Sequence, residues 1–561
     1  MSADRPLDVV LMWHMHQPQY RTADGGYRQP WTYLHAMKDY TDIAAHLEAH
    51  PRAQSVVNFT PVLLDQLLDY ADQFATNRFR DRLLIALAAR DLDTLEDRTQ
   101  LRHSLFRANR ERMIERSPRY QALYLLDAAV RAHGEDADLS ERFFGDLLVW
   151  YHLSWLGEAV RRDDPRVRTL LAKERDFSYE DRRLLLGVLQ ELIGGILPRF
   201  AALAQAGRVE LSTSPFTHPI MPLLLDFASA RDAMPDVPLP QAAGYPGGAA
   251  RVVDQLRKAR ALHERCFGMP PAGLWPSEAG VSDETVALCA QEGFLWIASG
   301  ENVLANSLLA QDPTLVSVRE GYLYRAYRLR AVHPAVTLFF RDVHLSDRIG
   351  FEYASWHADD AVENFAAELE RIRAATAHDN APITSVILDG ENAWEYYPEN
   401  GYYFLRQLYD RLVEMPGIRL TTFSEHLQRV ATEATLEHVV AGSWVYGTFS
   451  TWIGSPEKNR AWEMLVAAKR AYDEALPRLN PKRAARAEEL LAVCEASDWF
   501  WWYAEHNAAE TVEEFDRLYR AHLSDLYVAL ELPAPPELTV AIGRGHGAPA
   551  AGGTMIAGAP A

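Results

Sequence analysis

The sequence predicts an α/β fold built on a mainly parallel sheet, with helical regions added to it. Two observations lead there. Short apolar runs alternate along the chain with stretches of helical periodicity. The runs are also apolar at successive positions rather than at every second one, as expected of strands buried on both faces.

The first run, 8–13, carries Val9, Val10, Leu11, Met12 and Trp13 straight into His14-Met15-His16-Gln17-Pro18. The second, Ser55 to Phe59, ends at Thr60-Pro61, and Pro61 suits the first position of a helix bearing Leu63, Leu64, Leu67 and Leu68. Residues 75–205 keep a helical period and are too many for one crossover, so they read as a helical insertion. Gly207 stops that helix before a strand at 209–212. Further strands follow at 273–275, 295–297 and 336–340, with a helix at 250–267 and another starting at Ser282. A helix at 359–376 precedes Ile383–Leu388, the cleanest buried strand of the chain. After about 420 helices take over, at 423–431, 456–475, 481–496 and 510–530. The mixture of Ala, Gly and Pro after Pro533 offers little to bury and reads as a loose tail.

Composition narrows the class of function. The net charge of −20 supplies no basic footprint for nucleic acid or an anionic membrane. Three cysteines, Cys266, Cys289 and Cys494, lie far apart and make neither a disulfide framework nor a CxxC metal site. The first residues carry Asp4 and Arg5 without an apolar stretch, and no run of eighteen apolar residues occurs. The expectation is a cytoplasmic enzyme.

Four polar clusters follow predicted strands, on the edge where α/β barrels collect catalytic groups. They are His14/His16/Gln17; Glu210 with the Ser214–Pro219 stretch containing His218; Trp275-Pro276-Ser277-Glu278; and Asp389-Gly390-Glu391-Asn392. His14 and His16 share one face of an extended strand. With Asp389 or His218 they could hold a metal, but no HExxH motif accompanies them, and hydrogen bonding to a neutral ligand is the favoured reading. Glu278 and Asp389 are the informative pair. Two carboxylates facing one cleft can act as nucleophile and acid/base in glycoside cleavage. Each has a plain alternative, a surface Glu or an Asp-Gly turn. Three polar groups directly after a buried strand weaken that alternative at Asp389. Among 14 Trp, 24 Tyr and 21 Phe, many rings lie beside these clusters, including Trp13, Trp31, Trp275, Trp394 and Trp452. The run Trp499-Phe500-Trp501-Trp502-Tyr503 is too dense for one helix face, so some of its rings should line a cleft or an interface. Aromatic faces beside Asp, Glu, Asn and His suit sugar rings.

The ordered motifs resemble glycoside hydrolase family 57. They are His14–Pro18, Gly207–Glu210 running to His218-Pro219, Trp275–Glu278, Asp389–Asn392, and Gly447–Gly454 followed by Glu457-Lys458-Asn459. The resemblance spans roughly residues 7–530. It implies an incomplete (β/α)7 barrel over 1–420 with the helical insertion at about 62–205, a helical domain at 421–532 that completes the cleft, and the tail at 533–561. It also implies Glu278 as nucleophile and Asp389 as acid/base. His14, His16, Gln17, Glu210, His218, Trp275, Glu391, Trp394 and Trp452 are then the expected substrate contacts. No metal or cofactor is implied. Asp389–Glu395, Thr451–Arg460 and Ser497–Trp502 are similar to the amylopullulanase and α-amylase branch. The expected reaction is retaining cleavage of α-1,4 glucosidic bonds in an α-glucan, with α-1,6 cleavage left open. Transfer to a sugar hydroxyl, as in 4-α-glucanotransferases and branching enzymes, is the near alternative. A metal-dependent hydrolase or deacetylase is the remote one.

Overall fold

The computed structural model describes residues 6–133, 139–431, 434–504, 507–545 and 547. Its centre is a barrel of seven parallel strands: β1 (Leu7–Met15), β2 (Ser55–Phe59), β3 (Val209–Thr213), β4 (Gly273–Leu274), β5 (Trp296–Gly300), β6 (Thr337–Arg341) and β7 (Ile383–Asp389). Neighbours pair in chain order, and β7 returns to β1. Closure between β6 and β7 is slight, with Arg341 opposite Ser385. All nine residues of β1 are buried, because this strand has neighbours on both sides and helices outside. β4 is only two residues long. It contains Gly273, where a Cβ would sit 1.8 Å from the Trp296 ring, so glycine lets the β5 indole fill the barrel. Shorter strands flank the barrel. Tyr327–Leu329 runs antiparallel to β6, Ala434–Leu436 pairs with Tyr327–Leu329, and Ile418–Leu420 pairs with the first residues of β1.

Between β2 and β3 the chain is helical, from α1 (Pro61–Thr76) to α2 (Tyr179–Gln205). α2 starts in a reciprocal capping box between Ser178 and Asp181. It is long and apolar enough to cross a membrane by length and composition alone, and Gln190 and Glu191 interrupt its apolar sequence. In the fold, its Leu185, Leu189, Ile193 and Phe200 are buried, and Phe200 meets Phe59 of β2 edge-on at 5.1 Å. α3 (Gly248–Phe267) covers the barrel after β3.

The C-terminal region packs α4 (Pro456–Ala475), α5 (Pro481–Cys494), α6 (Asp498–Trp501) and α7 (Ala509–Ala529). Ser455 and Asn480 cap α4 and α5, each followed by Pro at the first helical position. A buried charge pair joins this region to the barrel. Arg251 of α3 reaches both oxygens of Glu495, and Tyr245 also donates to Glu495, at 2.6 Å. The expected loose tail needs correcting over its first part. Leu538 and Ile542 are buried, and the Ile542 amide donates to Asp516 of α7. Arg520 also donates to the Leu538 carbonyl, so apolar burial and hydrogen bonds dock the segment together; residues 548–561 lie outside the described ones.

Candidate active site

Parallel register builds the floor of the site. Asp389, His14, Asn58 and Ser212 occupy one row across β7, β1, β2 and β3. They stand where each strand reaches the C-terminal edge. His14 Nδ1 lies 2.7 Å from Asn58 Oδ1, which also accepts from Ser214, while the Asn58 amide donates to Ser212. Asn58 Oδ1 is an acceptor, so the His14 proton belongs on Nδ1 and Nε2 is left as an acceptor. Burial, then the neighbouring His16, pushes the His14 pKa down to about 3, against the Asn58 hydrogen bond. His14 is therefore neutral at pH 7.

His16 has the opposite character. Its Nε2 lies 2.7 Å from Asp498 at the start of α6, and its Nδ1 lies 3.1 Å from Thr60. Burial opposes its charge, but Asp498, Glu278 and Glu391 outweigh that and raise its pKa. Behind it stands His218, stacked at 4.0 Å between ring centroids. His218 is buried and bonded to Ser497, and burial plus the other two histidines lowers its pKa.

Glu278 follows β4 in left-handed backbone geometry, φ 55° and ψ 25°, and Ala279 continues at φ 54°. Such conformations are costly for residues with a Cβ and collect at functional sites. Thr217 and His218 form a second consecutive pair of this kind, at φ 64° and 69°. The Glu278 carboxylate accepts from Trp444 Nε1 at 3.1 Å and from Ser497 at 3.3 Å. Trp444 comes from the loop after Ala434–Leu436, held by a bridge between Val281 and Gly442. Its backbone passes so near Gly300 that a Cβ there would lie 2.7 Å from the Trp444 Cα. Burial first, then Asp498 and Asp389, pushes Glu278 up to about 8, against His16 and Trp444.

Asp389 ends β7 and accepts from Asn392 at 2.9 Å. Burial raises its pKa, with Asn392, His16 and Arg341 pulling the other way. Glu391 is deeper. One of its oxygens accepts from Gln17, Tyr40 and the His16 amide, while Oε2 has no protein partner. Burial and Asp389 push it up to about 8.

These groups face one cleft of about 510 Å³ between the barrel, the helical insertion and the C-terminal helices. His14, His16, Gln17, Glu278, Asp389 and Glu391 line it as expected. Trp444, Trp501 and Trp502 supply aromatic surface, together with Trp31 from the connection between β1 and β2 and Trp155 of the insertion. The dense aromatic run thus divides: Trp499 and Phe500 are buried, and Trp501 and Trp502 reach the cleft.

Five expected substrate contacts lie elsewhere. Glu210 is the second residue of β3, three positions short of the strand end, and so sits toward the opposite end of the barrel. There it accepts from Trp296 at 2.6 Å and from the Ser424 amide and hydroxyl. His218 backs His16 without lining the cleft. Trp275 is fully buried, edge-on to Trp444 at 5.4 Å, and walls Glu278 from behind. Trp394 packs edge-on to Trp13 and donates to the Gly390 carbonyl, turned into the core. Trp452 is fully buried beside Trp501. A motif tryptophan here is mostly scaffold for the residue that meets solvent. Asp498, Trp444 and Arg341 line the cleft and were not anticipated. Ser497-Asp498 before the aromatic run was the available signal for Asp498; nothing in the sequence marked the other two.

His16, His218 and Asp498 place one nitrogen or oxygen each within 4.8 Å of one another, the spacing of a metal cluster. The stacked imidazoles argue against that use. Ring lone pairs lie in the ring plane, and planes only 25° apart send them side by side instead of converging. Asp498 and Ser497 already take one nitrogen on each ring.

The profile of Glycosyl hydrolase family 57 matches residues 10–439. The chain belongs to that family. Its fold is similar to a branching enzyme from Thermococcus kodakaraensis, at 17% identity and TM-score 0.57, covering 93% of this chain and 90% of that one. The α-amylase AmyC of Thermotoga maritima gives 15% identity and TM-score 0.54, covering 94% and 93%. A 4-α-glucanotransferase from Thermococcus litoralis gives 14% identity and TM-score 0.51, covering 93% of this chain and 60% of that one. A search of curated proteins gives no match. Family membership makes the chain a glycoside hydrolase-type enzyme. The cleft follows as its candidate active site.

Proposed function

We propose that this enzyme cleaves α-1,4 glucosidic bonds of an α-glucan with retention of configuration. The observation that carries the reading is the pair Glu278 and Asp389. They come from β4 and β7, face one aromatic-lined cleft, and are coupled closely enough that Asp389 raises the Glu278 pKa.

In this reading Glu278 attacks the anomeric carbon and its electron pair forms the glycosyl-enzyme ester. Asp389 gives its proton to the departing glycosidic oxygen, then takes one from the attacking water. The pair must carry one proton between them. Glu278 accepts two hydrogen bonds and Asp389 one, which favours the anion on Glu278 and the proton on Asp389. Burial raises both pKa values, and Asp389 raises that of Glu278 further, so the charge on one bears on the proton of the other. His16, whose pKa is raised, lowers both when it carries a proton and so stabilises the singly ionised pair. Neutral His14 offers an acceptor to a sugar hydroxyl, and Trp444 orients the nucleophile while showing its ring to the cleft.

A second reading is transfer of the same glycosyl group to a sugar hydroxyl. It is supported by the insertion and the C-terminal helices, which wall the cleft with aromatic surface that would bind an acceptor chain and exclude water. Maltoheptaose separates the two. Hydrolysis gives only shorter oligosaccharides; products longer than seven units would replace the hydrolytic reading with transfer. Inert maltoheptaose, starch and pullulan together would overturn both. The proposal keeps a cytoplasmic setting, supported by three cysteines that are all unbridged.

A further inference from the structure

A second cavity of about 350 Å³ lies behind the cleft, where the loop after β1 and the start of α1 meet α5 and α7. It shares no lining residue with the cleft. Its volume suits a mono- or disaccharide, at the small end of ligand pockets.

The donor set is unusual for an unused gap. His522 of α7 is 2% exposed, yet it is part of the lining. Neither of its ring nitrogens is in hydrogen-bonding geometry with a protein atom, although the Gln19 backbone lies close enough to favour its charged form. A buried, unpaired imidazole is expensive unless a ligand or water meets it. Around it are three guanidinium–carboxylate pairs, Arg21 with Asp65, Arg80 with Asp69, and Arg486 with Glu489 at 3.2 Å. Arg486 also donates to the Ala23 carbonyl. The half-buried Phe216, with Leu490 and Val493, supplies apolar lining.

That pattern selects a ligand class. Each arginine is already neutralised by its own carboxylate, so an anion would gain little and would meet Asp65 and Glu489. A neutral polyol can accept from each guanidinium and donate to each carboxylate in the same place. A ring with an apolar C–H face can rest on Phe216.

We propose that this pocket is a second, non-catalytic binding site for a short neutral sugar such as maltose. The inference rests on the α-glucan reading of the cleft. A route to the active site exists: His522 meets the Trp499 ring at 5.3 Å, and the neighbouring Asp498 bonds His16.

The test is calorimetric titration of maltose into the Glu278→Ala protein, which cannot turn over substrate. Two maltose molecules per chain are expected. Adding Arg486→Ala and Glu489→Ala, both on the solvent-facing rim, should leave one, because losing two charged hydrogen-bonding groups weakens the pocket by at least about tenfold. His522→Phe should do the same from the floor; the rim variant keeps the test valid if that protein fails to fold. One maltose per chain with the pocket intact overturns the inference. So do two maltoses that survive the rim changes, or inorganic phosphate that displaces the rim-dependent one. Wild-type turnover of maltoheptaose with an empty pocket sinks this inference alone. Inert maltoheptaose with no maltose bound at either place sinks the α-glucan reading as well.

Discussion

The two ends of the barrel hold buried carboxylates in opposite states. At the N-terminal end, burial would raise the Asp8 pKa, but hydrogen bonds from His426, Arg429 and Arg419 outweigh it and hold the group below its usual value. Glu210 at that end is likewise met by three donors, from Trp296 and Ser424. At the C-terminal end, burial wins. Glu278, Asp389 and Glu391 are all raised, and buried oxygens of Glu391 and Asp498 have no protein partner. One end is saturated and serves the fold. The other is left short of donors and opens on a cleft, the condition under which a sugar hydroxyl or a transferred proton can complete it.

The contrast predicts which substitutions separate activity from stability. Glu278→Ala and Asp389→Ala should lower kcat by about 10²–10⁴-fold or more, with melting temperatures near wild type. Thermal unfolding beside initial rates on maltoheptaose checks both at once. A folded variant with near-normal rates would remove its residue from the chemistry.

Asp8→Ala should do the reverse. It strands His426 and two arginines around a vacated carboxylate, so unfolding free energy should fall by about 3–5 kcal/mol while the folded fraction keeps its specific activity. Chemical denaturation read alongside kcat measures this. The Asp8 contribution has a defined pH sense. Its folded pKa is depressed, so its stabilisation is present above the ordinary Asp range and fades as pH falls through the lowered value. Loss of activity out of proportion to unfolding would erase the distinction between the ends.

Glu391→Gln should show the opposite pH sense. With its pKa raised from 4.5 to about 8, the folded protein keeps a proton that the unfolded chain gives up. Stability from this group is therefore complete below about 4.5 and is lost as pH rises toward 8. Glutamine does not titrate. The melting temperature of the variant relative to wild type should climb between pH 5 and pH 8 and then level off. A flat difference would mean that Glu391 is ionised throughout.

The barrel was legible in the sequence because its strands are apolar on both faces. Each of the predicted runs, from 8–13 to 383–388, falls on a barrel strand. The short strands Tyr327–Leu329, Ile418–Leu420 and Ala434–Leu436 were missed, being three residues each and without an apolar run. Within the site, position at a strand end was informative where the residue stood on that end. It marked His14, Glu278 and Asp389, which the fold brings to the cleft. It failed for Glu210, where three residues of strand carry the side chain to the other end. It failed also for Trp275, Trp394 and Trp452, because a fully buried indole and a cleft-lining one look alike in a motif. Trp444 and Arg341 arrive through tertiary packing from a loop and a strand end, which no local pattern announces, and Asp498 comes from a helix start marked only by its place before the aromatic run.

The central claim is that Glu278 forms the covalent bond to sugar while Asp389 handles the proton. The most direct test is to incubate Asp389→Ala with α-maltosyl fluoride, whose leaving group needs no acid, and to locate the adduct by peptide mass spectrometry. The account predicts a glycosyl ester on the peptide containing Glu278, accumulating because the base for hydrolysis is missing. An adduct on Asp498 or Glu391, or steady turnover without any adduct, would contradict it.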